Sequence, residues 1–592
     1  MFSYTLKEQG IDIVDTVLTN RGLTLESANL IINATFNDYV GGAYQLKNID
    51  KAVKILNNAI KNRFKIGILI DSDCDGYCAA AMMYDYLKNK IGYENVIYKF
   101  HEKHKAHGIK DYVVEWVNNE DIKLLIIPDA GCGASDEDPQ KFLSSLGVNI
   151  LILDHHIPEY IPCENVAMVN PHQSDDVYHN KYLSGAGVTH KFIEYHLATI
   201  TGEDICVSEL YDDLVALSLV SDMMNLRDSI ENRAYLNSGS MSIKAPFLSA
   251  IFSNVDSKKL SIQDLGFSVA PLINATVRFG NDEERNLVFR SLFEEDTVLS
   301  KKRGMVGKPV SISIEAVRIA GNLKRKQDKE RDKASKTLCN LIEELKINKN
   351  KVIILTIDDN IDNFITGLIA NKLVNIYNKP VMLLRETENI DMLSNNTECS
   401  TIFAGSVRTV NNNPKLKNFK SICLNTGLFE YCSGHEGSFG AGITNENLKK
   451  LNNVFNEMFE DINVNTSYEV EGIYNQKVPF SDIRDISTLE DLWCFDIKEP
   501  LFLVKNVKIN TDDIKKIGNA TYTFNFNKTI FTKFYGSKVW FSNFKLENEL
   551  PFGGDIEVDI ICKFKKVKNN SNETYIAEIV DTISRVNVEY DF

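Results

Sequence analysis

Leu151-Ile152-Leu153-Asp154-His155-His156-Ile157-Pro158 is the stretch of sequence that indicates the fold. Three aliphatic residues lead directly into an acid and two histidines, and a proline then ends the run. A short apolar run of this kind predicts a buried parallel strand whose polar residues fall at its carboxyl end. Open α/β sheets bind their ligands at that end of their strands. The stretch therefore predicts a parallel α/β sheet with a functional site at Asp154, His155 and His156.

The same pattern occurs three more times. Apolar residues 66–70 precede Asp71, Asp73 and Asp75; residues 124–128 precede Asp129; and residues 214–220 precede Asp222. We expect these runs to be strands that deliver their polar residues to one place. That many carboxylates can share a site only when cations neutralise them, because like charges at close range force protonation. Aspartate and histidine ligands without thiolates favour Mn²⁺, Mg²⁺ or Zn²⁺, and two ions suit a cluster of this size. A solvated acidic rim is the alternative interpretation.

Length and composition limit the possibilities further. A chain of 592 residues is too long for one core, and three or four domains are expected. The 44% hydrophobic and 25% charged residues are typical of a soluble globular protein. The sequence shows no signal pattern, no membrane-spanning apolar run and no regular cysteine spacing, so we predict a cytoplasmic protein with reduced thiols and no membrane association. A net charge of −15 argues against a general nucleic-acid-coating protein but does not exclude a nuclease.

Changes of pattern along the chain predict a multidomain α/β protein. The predicted parts are an N-terminal helical segment (1–60), a parallel-sheet domain (61–305), a long connecting helix (306–346), a second α/β domain (347–464) and a C-terminal β domain (465–592). The middle of the connecting helix, residues 324–333, has no apolar face, which is expected for a helix that bridges two domains through solvent. Direct contact with a DNA backbone is the alternative for this helix.

Two segments indicate phosphate binding from their composition. Residues 433–442 place four glycines around Ser433, Ser438 and His435, which lets backbone amides approach an anion closely, although a plain glycine-rich loop has the same composition. Residues 100–109 contain three histidines and two lysines, and either a phosphate-binding loop or an exposed basic turn fits them.

Together these motifs resemble the DHH phosphoesterase superfamily, in which Asp154-His155-His156 matches the motif that gives the superfamily its name. Further matches resemble its RecJ-type single-strand-specific exonucleases: Asn20-Arg21-Gly22-Leu23, residues 169–173, residues 183–188, Glu231-Asn232-Arg233, and residues 271–275 followed by Arg278. The resemblance runs from about residue 15 to the C-terminus and is strongest in the first half. It implies that residues 61–305 form a DHH domain and residues 347–464 a DHHA1 substrate-binding domain. It also implies an OB-fold-like barrel in residues 465–592. Aromatic residues on its strands, together with lysines, could stack on single-stranded bases, but strand aromatics more often belong to the core, so we expect only some of them to face DNA.

The resemblance also implies roles for individual residues. The implied metal ligands for two Mn²⁺ or Mg²⁺ ions are Asp73, Asp75, Asp129, His155 and Asp222, with Asp129 bridging the ions. Asp71 and Asp154 would orient these ligands or complete their shell, and His156 would lie close to the scissile phosphate. The implied substrate-binding residues are Arg278, Ser406, Arg408, Gly434, His435 and Gly437.

The implied activity is 5′-to-3′ exonuclease digestion of single-stranded DNA to 5′-mononucleotides in DNA repair or recombination. A single-strand-binding protein or a helicase would be a partner. One alternative is a DHH phosphodiesterase acting on short oligonucleotides or cyclic dinucleotides, which would not need the long helix or the C-terminal β domain. The other is a catalytically inactive DHH scaffold, which the filled acidic and histidine positions disfavour.

Overall fold

The fold was analysed in a computed structural model. It describes residues 3–39, 41–102, 107–202, 210–253, 259–388, 401–410, 414–416, 418–460, 467–510, 515–517, 521–527, 530–535, 555–569 and 572–584. None of the helices within these ranges is long and apolar enough to cross a membrane.

The described residues form seventeen α-helices and twenty-one β-strands. The α-helices are α1 (Ile13–Thr19), α2 (Leu25–Ile32), α3 (Ile49–Lys61), α4 (Cys74–Asp85), α5 (Asp111–Asn119), α6 (Glu137–Ser145), α7 (Gly185–Thr201), α8 (Asp212–Ser221), α9 (Ile230–Met241), α10 (Pro246–Phe252), α11 (Ala270–Phe279), α12 (Asp282–Arg290), α13 (Ile312–Glu344), α14 (Thr366–Tyr377), α15 (Phe419–Asn425), α16 (Asn445–Met458) and α17 (Phe480–Ser487). The strands are β1 (Ser3–Leu6), β2 (Ile66–Ile70), β3 (Val96–Phe100), β4 (Leu124–Pro128), β5 (Asn149–Leu153), β6 (Val166–Val169), β7 (Thr297–Leu299), β8 (Pro309–Ser311), β9 (Ile353–Thr356), β10 (Val381–Glu388), β11 (Thr401–Arg408), β12 (Phe429–His435), β13 (Ser438–Thr444), β14 (Ser467–Val470), β15 (Gly472–Asn475), β16 (Phe502–Asn510), β17 (Lys515–Ile517), β18 (Thr521–Asn527), β19 (Ile530–Tyr535), β20 (Asp555–Asn569) and β21 (Asn572–Ser584).

The chain divides into two compact units. The N-terminal unit comprises Glu26–Lys326 together with Asp491–Lys498, and the C-terminal unit comprises Met1–Leu25, Gln327–Glu490 and Glu499–Phe592. The division therefore falls inside α13, which is the single long helix that the sequence predicts for this region.

A five-stranded parallel sheet forms the centre of the N-terminal unit, as predicted. Its strand order is β3-β2-β4-β5-β6, and every neighbouring pair is parallel. Alternate residues of β4 and β5 contribute to two different apolar clusters, so both faces of these strands are buried. This explains why the strands are continuously apolar. Because β2, β4 and β5 are neighbours and parallel, Asp71, Asp129 and Asp154 all follow strand ends at the same edge.

The prediction that residues 214–220 form a strand is wrong. Residues 214–220 belong to helix α8, and Asp222 is the residue at its C-terminal end. Nearly every residue of α8 is buried, so the helix has no polar face and its sequence lacks the 3.6-residue periodicity of a surface helix. A short apolar run without such periodicity does not distinguish a strand from a buried helix.

The structure also differs from the prediction for residues 1–60, because these residues contain a strand. The segment predicted to contain only helices also contains β1, which pairs in parallel with β14, more than 450 residues away in the chain. Such a remote pairing leaves no local periodicity to detect. Helix α4 begins at Cys74, where the Asp73 side chain accepts a hydrogen bond from the amide of Gly76 and caps the helix.

The C-terminal unit contains a mixed five-stranded sheet with the order β12-β13-β11-β10-β9. Strands β9 and β10 are parallel, and the other pairs are antiparallel. The glycine-rich segment 433–442, whose composition fitted either anion-binding backbone amides or a plain loop, lies mostly within the hairpin of β12 and β13, with its turn at Glu436 and Gly437. Glycines fit there because adjacent backbones and rings approach closely: a Cβ at Gly442 would lie 2.3 Å from the Tyr431 ring.

The second sheet of this unit has seven strands in the order β15-β16-β20-β21-β19-β18-β17. Strands β14 to β21 and helix α17 lie within residues 465–592, for which the sequence predicts a β domain. Within the described residues β15 and β17 are open edges, so the predicted closed barrel is not confirmed.

Candidate metal centre

The eight residues predicted for the catalytic site are brought together at the carboxyl edge of the parallel sheet. They form three overlapping groups whose potential ligand atoms lie within 4.8 Å of one another: Asp129, Asp154, His155 and His156; Asp75, His155 and Asp222; and Asp71, Asp73 and Asp129. The strand ends supply Asp71, Asp129 and the run from Asp154 to His156, α4 and its cap supply Asp73 and Asp75, and the end of α8 supplies Asp222. His155 and Asp129 each belong to two groups and connect the cluster.

The imidazole of His155 lies in the middle of the acidic groups. Its Nε2 atom is 3.2 Å from Oδ1 of Asp129, 3.4 Å from Oδ2 of Asp222 and 3.8 Å from Oδ2 of Asp75. Burial lowers the pKa of His155, so the neutral imidazole, which can ligate a metal, is favoured. Asp75, His155 and Asp222 therefore form one group of potential ligands for an ion, and Asp129 lies beside this group through its contact with His155.

Several buried polar atoms of the cluster have no hydrogen-bond partner in the described part of the chain. They are Oδ1 of Asp71, Oδ1 of Asp129, Oδ2 of Asp154 and Nε2 of His155. Buried polar atoms are normally paired, because leaving one unpaired costs about 1–3 kcal/mol. Three carboxylate oxygens and an imidazole nitrogen that lack donors in one place fit a site for hard or borderline divalent cations.

The electrostatics of the carboxylates agree with this fit. Burial raises the pKa of Asp129 well above its usual value, and the charges of Asp75 and Asp73 raise it further. Burial followed by the charge of Asp75 has the same effect on the pKa of Asp222. The protein alone therefore disfavours the ionised carboxylates, and a bound cation would reverse that preference.

Helix α7 holds the Asp75 carboxylate in place. The amides of Gly185 and Ala186, in the first turn of α7, donate to its Oδ2 and Oδ1 atoms at 2.7 and 2.8 Å. The Ser218 hydroxyl of α8 donates to Oδ1 at 2.5 Å. Free amides and the helix dipole at a helix N-terminus stabilise a carboxylate. A Cβ at Gly185 would lie 2.4 Å from the side chain of Asp129, so only glycine fits between the two acids.

Two backbone features set the positions of the aspartates around the first strand ends. A Cβ at Gly76 would lie 2.5 Å from the Cβ of Asp71, which explains the glycine that follows the three aspartates. Asp129 has a φ of +65°, a conformation that costs a residue other than glycine free energy and that occurs frequently at functional sites. Its amide donates to the carbonyl of Leu153 at 2.8 Å, which fixes it next to β5.

Asp154 connects to His156 rather than to the centre of the cluster. Its Oδ1 atom accepts hydrogen bonds from the amides of His155 and His156 and lies 2.8 Å from Nδ1 of His156. This hydrogen bond raises the pKa of His156 to about 9. Although burial opposes ionisation of Asp154, its contacts with His156 lower its pKa below the usual value. The His156 ring is more than half exposed, so a protonated imidazole faces the solvent side of the site.

The structure adds two histidines that the sequence did not assign to the site. Nδ1 of His107 lies 2.6 Å from Oδ2 of Asp71, and Nε2 of His101 lies 3.7 Å from Oδ1 of the same carboxylate. Both belong to the histidine-rich segment after β3, whose composition indicated phosphate binding; its residues 103–106 lie outside the described residues. Burial raises the pKa of Asp71 to about 6, against the opposing effect of His107. The sequence signal was the histidine content, but the contact with Asp71 depends on the adjacent positions of β2 and β3.

Arg278, predicted to bind substrate, lies in the last turn of α11 in the same unit. Burial lowers the pKa of its guanidinium, and the charge of Asp73 acts in the opposite direction. Arg278 is therefore a cation that the fold places within electrostatic range of the Asp73 carboxylate.

The other predicted substrate-binding residues form a separate group in the C-terminal unit. The register of β11, β12 and β13 places Arg408 and His435 both opposite Ser438, Ser406 opposite Gly440, and Gly434 opposite Phe439. Gly437 accepts a hydrogen bond from the amide of Thr409. The Ser406 hydroxyl lies 3.1 Å from that of Thr366, and a Cβ at Gly367 would lie 2.5 Å from Nη2 of Arg408. The guanidinium thus rests on the first turn of α14.

Comparisons with known proteins agree with this architecture. Residues 65–219 match the DHH family, N-terminal domain. The chain is 31% identical over 593 residues to the SPbeta prophage-derived protein YorK of Bacillus subtilis (strain 168), which is provisionally named a single-strand DNA-specific exonuclease, and 97% of each chain is covered. It is 24% identical over 533 residues to the single-stranded-DNA-specific exonuclease RecJ of Bacillus subtilis, with 86% of this chain and 60% of that protein covered.

The fold matches a solved structure over nearly its whole length. The crystal structure of RecJ from Thermus thermophilus in complex with Mn²⁺ superposes with a TM-score of 0.65 at 18% identity, covering 96% of this chain and 76% of that chain. The corresponding Mg²⁺ complex gives a TM-score of 0.60 at 15% identity, covering 98% and 78%.

The fold and the donor set define a DHH-type hydrolase that depends on divalent metal, as predicted. The full-length similarity to YorK is more specific, and the chain belongs to the RecJ-type family of DHH phosphoesterases.

Proposed function

We propose that this protein is a metal-dependent exonuclease that degrades single-stranded DNA from the 5′ end and releases 5′-mononucleotides. The observation that carries the proposal is the convergence of eight acidic and imidazole side chains in a chain related over 97% of its length to a provisionally named single-strand DNA-specific exonuclease. The names of the RecJ relatives support single-stranded DNA as the substrate.

Five residues would hold two divalent ions, which we take to be Mn²⁺ or Mg²⁺: Asp73, Asp75, Asp129, His155 and Asp222. Asp129 belongs to two of the donor groups, which suits a bridging ligand. Bound divalent ions lower the pKa of a water nucleophile and neutralise charge on the phosphate that it attacks. Ligands need support from their neighbours, and Asp71 and Asp154 would supply it from the adjacent strand ends.

His156 would contact the substrate, because its ring lies at the exposed side of the cluster. Its hydrogen bond with Asp154 fixes the ring, and its raised pKa keeps the imidazole protonated at neutral pH. A cationic donor at the exposed side of the site would stabilise negative charge on the scissile phosphate. Arg278 would bind a phosphate of the same strand, because its guanidinium offers several donors in a fixed geometry.

In the C-terminal unit, Ser406, Arg408, Gly434, His435 and Gly437 would form a second phosphate-binding group. Arg408 next to the N-terminus of α14 supports this proposal, since a helix N-terminus and a guanidinium both favour an anion. The seven-stranded sheet would be an OB-like module for single-stranded bases, with candidate contacts among Tyr522, Phe524, Phe526, Phe531, Phe534, Tyr535, Trp540, Lys528, Lys533 and Lys538. The side chains of these candidates lie outside the described residues.

One assay tests substrate, polarity and metal dependence together. Single strands blocked at either the 5′ or the 3′ end are incubated with the protein and Mn²⁺, with a chelator control. We expect digestion to mononucleotides only when the 5′ end is free. Digestion that a 3′ block stops and a 5′ block does not would contradict the proposed polarity.

Hydrolysis of short oligonucleotides or cyclic dinucleotides is the second candidate, because it would use the same donor cluster. Comparing turnover of a long 5′-labelled strand with that of a dinucleotide separates the two activities. A scaffold without catalysis is the remaining alternative, and a protein that binds no metal after purification and dialysis against Mn²⁺ would favour it.

The finer organisation remains a prediction. We propose the domain boundaries 1–60, 61–305, 306–346, 347–464 and 465–592 as functional divisions. A role in DNA repair or recombination, a cytoplasmic location and a single-strand-binding protein or helicase as partner are part of the same proposal.

A further inference from the structure

The loop that directly follows Asp222 is anchored at Leu226, whose backbone amide and carbonyl are both hydrogen-bonded to side chains. Leu226, four residues after Asp222, is fully buried. Its amide donates to Oδ2 of Asp496 at 2.8 Å, and its carbonyl accepts from Nε of Arg233 at 2.6 Å. Asp496 belongs to Asp491–Lys498, a part of the N-terminal unit that lies far along the sequence and that we call the return segment.

Arg233 joins the loop to the return segment. Its Nη1 atom donates to the carbonyl of Asp491 at 3.0 Å, and its Nη2 atom donates to the carbonyl of Leu492 at 2.8 Å. The Arg233 side chain is almost completely buried. A buried guanidinium with donors to three carbonyls is a rigid connector, because each lost hydrogen bond would leave a charged donor unpaired.

The return segment is itself held in the apolar core of the N-terminal unit. Leu492 and Ile497 are buried, and Cys494 and Phe495 pack against the core cluster that includes Leu226. The amide of Cys494 also donates to the carbonyl of Ile497, which closes the segment into a turn. The return segment is therefore fixed in the core and can support the loop that contacts it.

Asp222 lies at the start of the loop that is anchored at Leu226. It stands directly after the last residue of α8, and its side chain is about one-third exposed, with Oδ2 3.4 Å from Nε2 of His155. The next residue, Met223, has a φ of +53°, so the chain turns sharply immediately after the acid. A shift of the loop would rotate the carboxylate away from the other donors.

We propose that Arg233 and Asp496 are positioning residues for the metal centre: through Leu226 they fix the loop that begins at Asp222, and so aim its carboxylate at the bound cation. Metal affinity thereby depends on a segment that the chain supplies only after the first sheet of the C-terminal unit. The inference rests on the metal site of the proposed function and adds a source of its geometry.

The test measures Mn²⁺ binding to the full-length, metal-free protein by the electron paramagnetic resonance signal of free Mn²⁺. Asp496→Ala removes the carboxylate that accepts a hydrogen bond from the Leu226 amide. Arg233→Lys removes the guanidinium that joins the loop to the return segment but keeps the positive charge. Lys259→Ala is the matched control, because Lys259 contacts the same segment through Asp491 at 3.0 Å. We expect Asp496→Ala to weaken the binding of one Mn²⁺ about 10-fold, the range seen for supporting residues of metal ligands, and Lys259→Ala to leave it unchanged.

A second readout separates positioning from general destabilisation. Excess Mn²⁺ should restore the kcat of Asp496→Ala, with an unchanged KM for single-stranded DNA, because only occupancy of the site is reduced. Wild-type Mn²⁺ affinity in Asp496→Ala would overturn this inference alone, even if Arg233→Lys fails to fold. A wild-type protein that binds no Mn²⁺ would overturn the proposed function and this inference together.

Discussion

The sheet edge of the N-terminal unit and the hairpin sheet of the C-terminal unit carry the two sets of predicted functional residues, and they are built in opposite ways. The acidic cluster draws side chains from segments spread between Asp71 and Asp222, and four of its buried atoms lack partners in the described residues. In the hairpin sheet, Ser406, Arg408, Gly434 and His435 lie on neighbouring strands whose register alone brings them together.

This difference predicts that ligand binding affects the stability of the two regions differently. In the acidic cluster, buried like charges repel one another, so a bound cation would stabilise the fold as well as the chemistry. In the hairpin sheet, the strands are held by their own backbone pairing, and Arg408 rests on the start of α14. Loss of a residue there should weaken substrate binding and leave metal binding intact.

The largest expected effect is on the acidic cluster. Asp129→Ala should reduce Mn²⁺-dependent hydrolysis of single-stranded DNA at least about 10³-fold, because several kcal/mol of charge stabilisation depend on the ions that Asp129 would bridge. Initial rates with a labelled strand measure the loss, and a binding assay without turnover should show nearly unchanged affinity for DNA. Asp138→Ala, which changes an aspartate outside the cluster, is the control. Retained turnover in Asp129→Ala would refute the ligand assignment.

A smaller effect is expected at the cationic residues. Arg278→Ala and Arg408→Ala should each raise the KM for single-stranded DNA about 10-fold, the loss expected when one hydrogen-bonded charge contact to a phosphate is removed. Steady-state kinetics measure KM and kcat separately. Arg290→Ala in the N-terminal unit and Lys450→Ala in the C-terminal unit remove cations that pair with neighbouring acids and serve as controls. An unchanged KM would count against phosphate binding at the mutated arginine.

Metal binding should also appear as stability. At a Mn²⁺ concentration 100-fold above its dissociation constant, the metal should stabilise the N-terminal unit by about 2.7 kcal/mol. Thermal melts with Mn²⁺ or with a chelator measure this as a shift of the corresponding transition. The shift should persist in Arg408→Ala and be lost in Asp129→Ala. Equal shifts in both variants would mean that the stabilising ion binds elsewhere.

The smaller of the two expected stability effects concerns pH in the metal-free protein. Burial raises the pKa of Asp71 to about 6 and also raises the pKa of Asp75, Asp129 and Asp222, while Asp154 raises the pKa of His156 to about 9 and Asp71 raises that of His107. The folded state therefore binds more protons than the unfolded state, and stability should rise as the pH falls from 8 to 6.5.

The gain is opposed increasingly as the pH approaches 6.5 and falls below it, because burial lowers the pKa of His101, His155 and His196, which the unfolded chain protonates around pH 6.5. Between pH 8 and 6.5 we expect a gain on the order of 1–2 kcal/mol, measured by denaturant melts in a chelator. Saturating Mn²⁺ should reverse the trend, since it requires the ionised carboxylates. Higher stability at pH 8 than at pH 6.5 in the chelator would contradict the repulsion described for the cluster.

Much of the site could be predicted from sequence because acids and histidines follow apolar strands. Asp71, Asp129 and Asp154 fall at one sheet edge simply because β2, β4 and β5 are parallel neighbours. The contacts of Asp71 with His101 and His107 could not be predicted, since they depend on β3 lying beside β2. The strand predicted before Asp222 is a helix, because a continuously apolar run carries no period to distinguish the two.

By itself the sequence determined the residue types of the metal centre, the parallel sheet beneath it and the long helix α13, because each of these leaves a local pattern. Only the tertiary structure decided how the donors are held: helix α7 binds Asp75, glycines at positions 76 and 185 let the acids approach, and the return segment supports the loop after Asp222. These features join residues that are remote in the chain. The sequence does not predict such contacts because they depend on tertiary packing, whereas a sequence pattern reports only local periodicity.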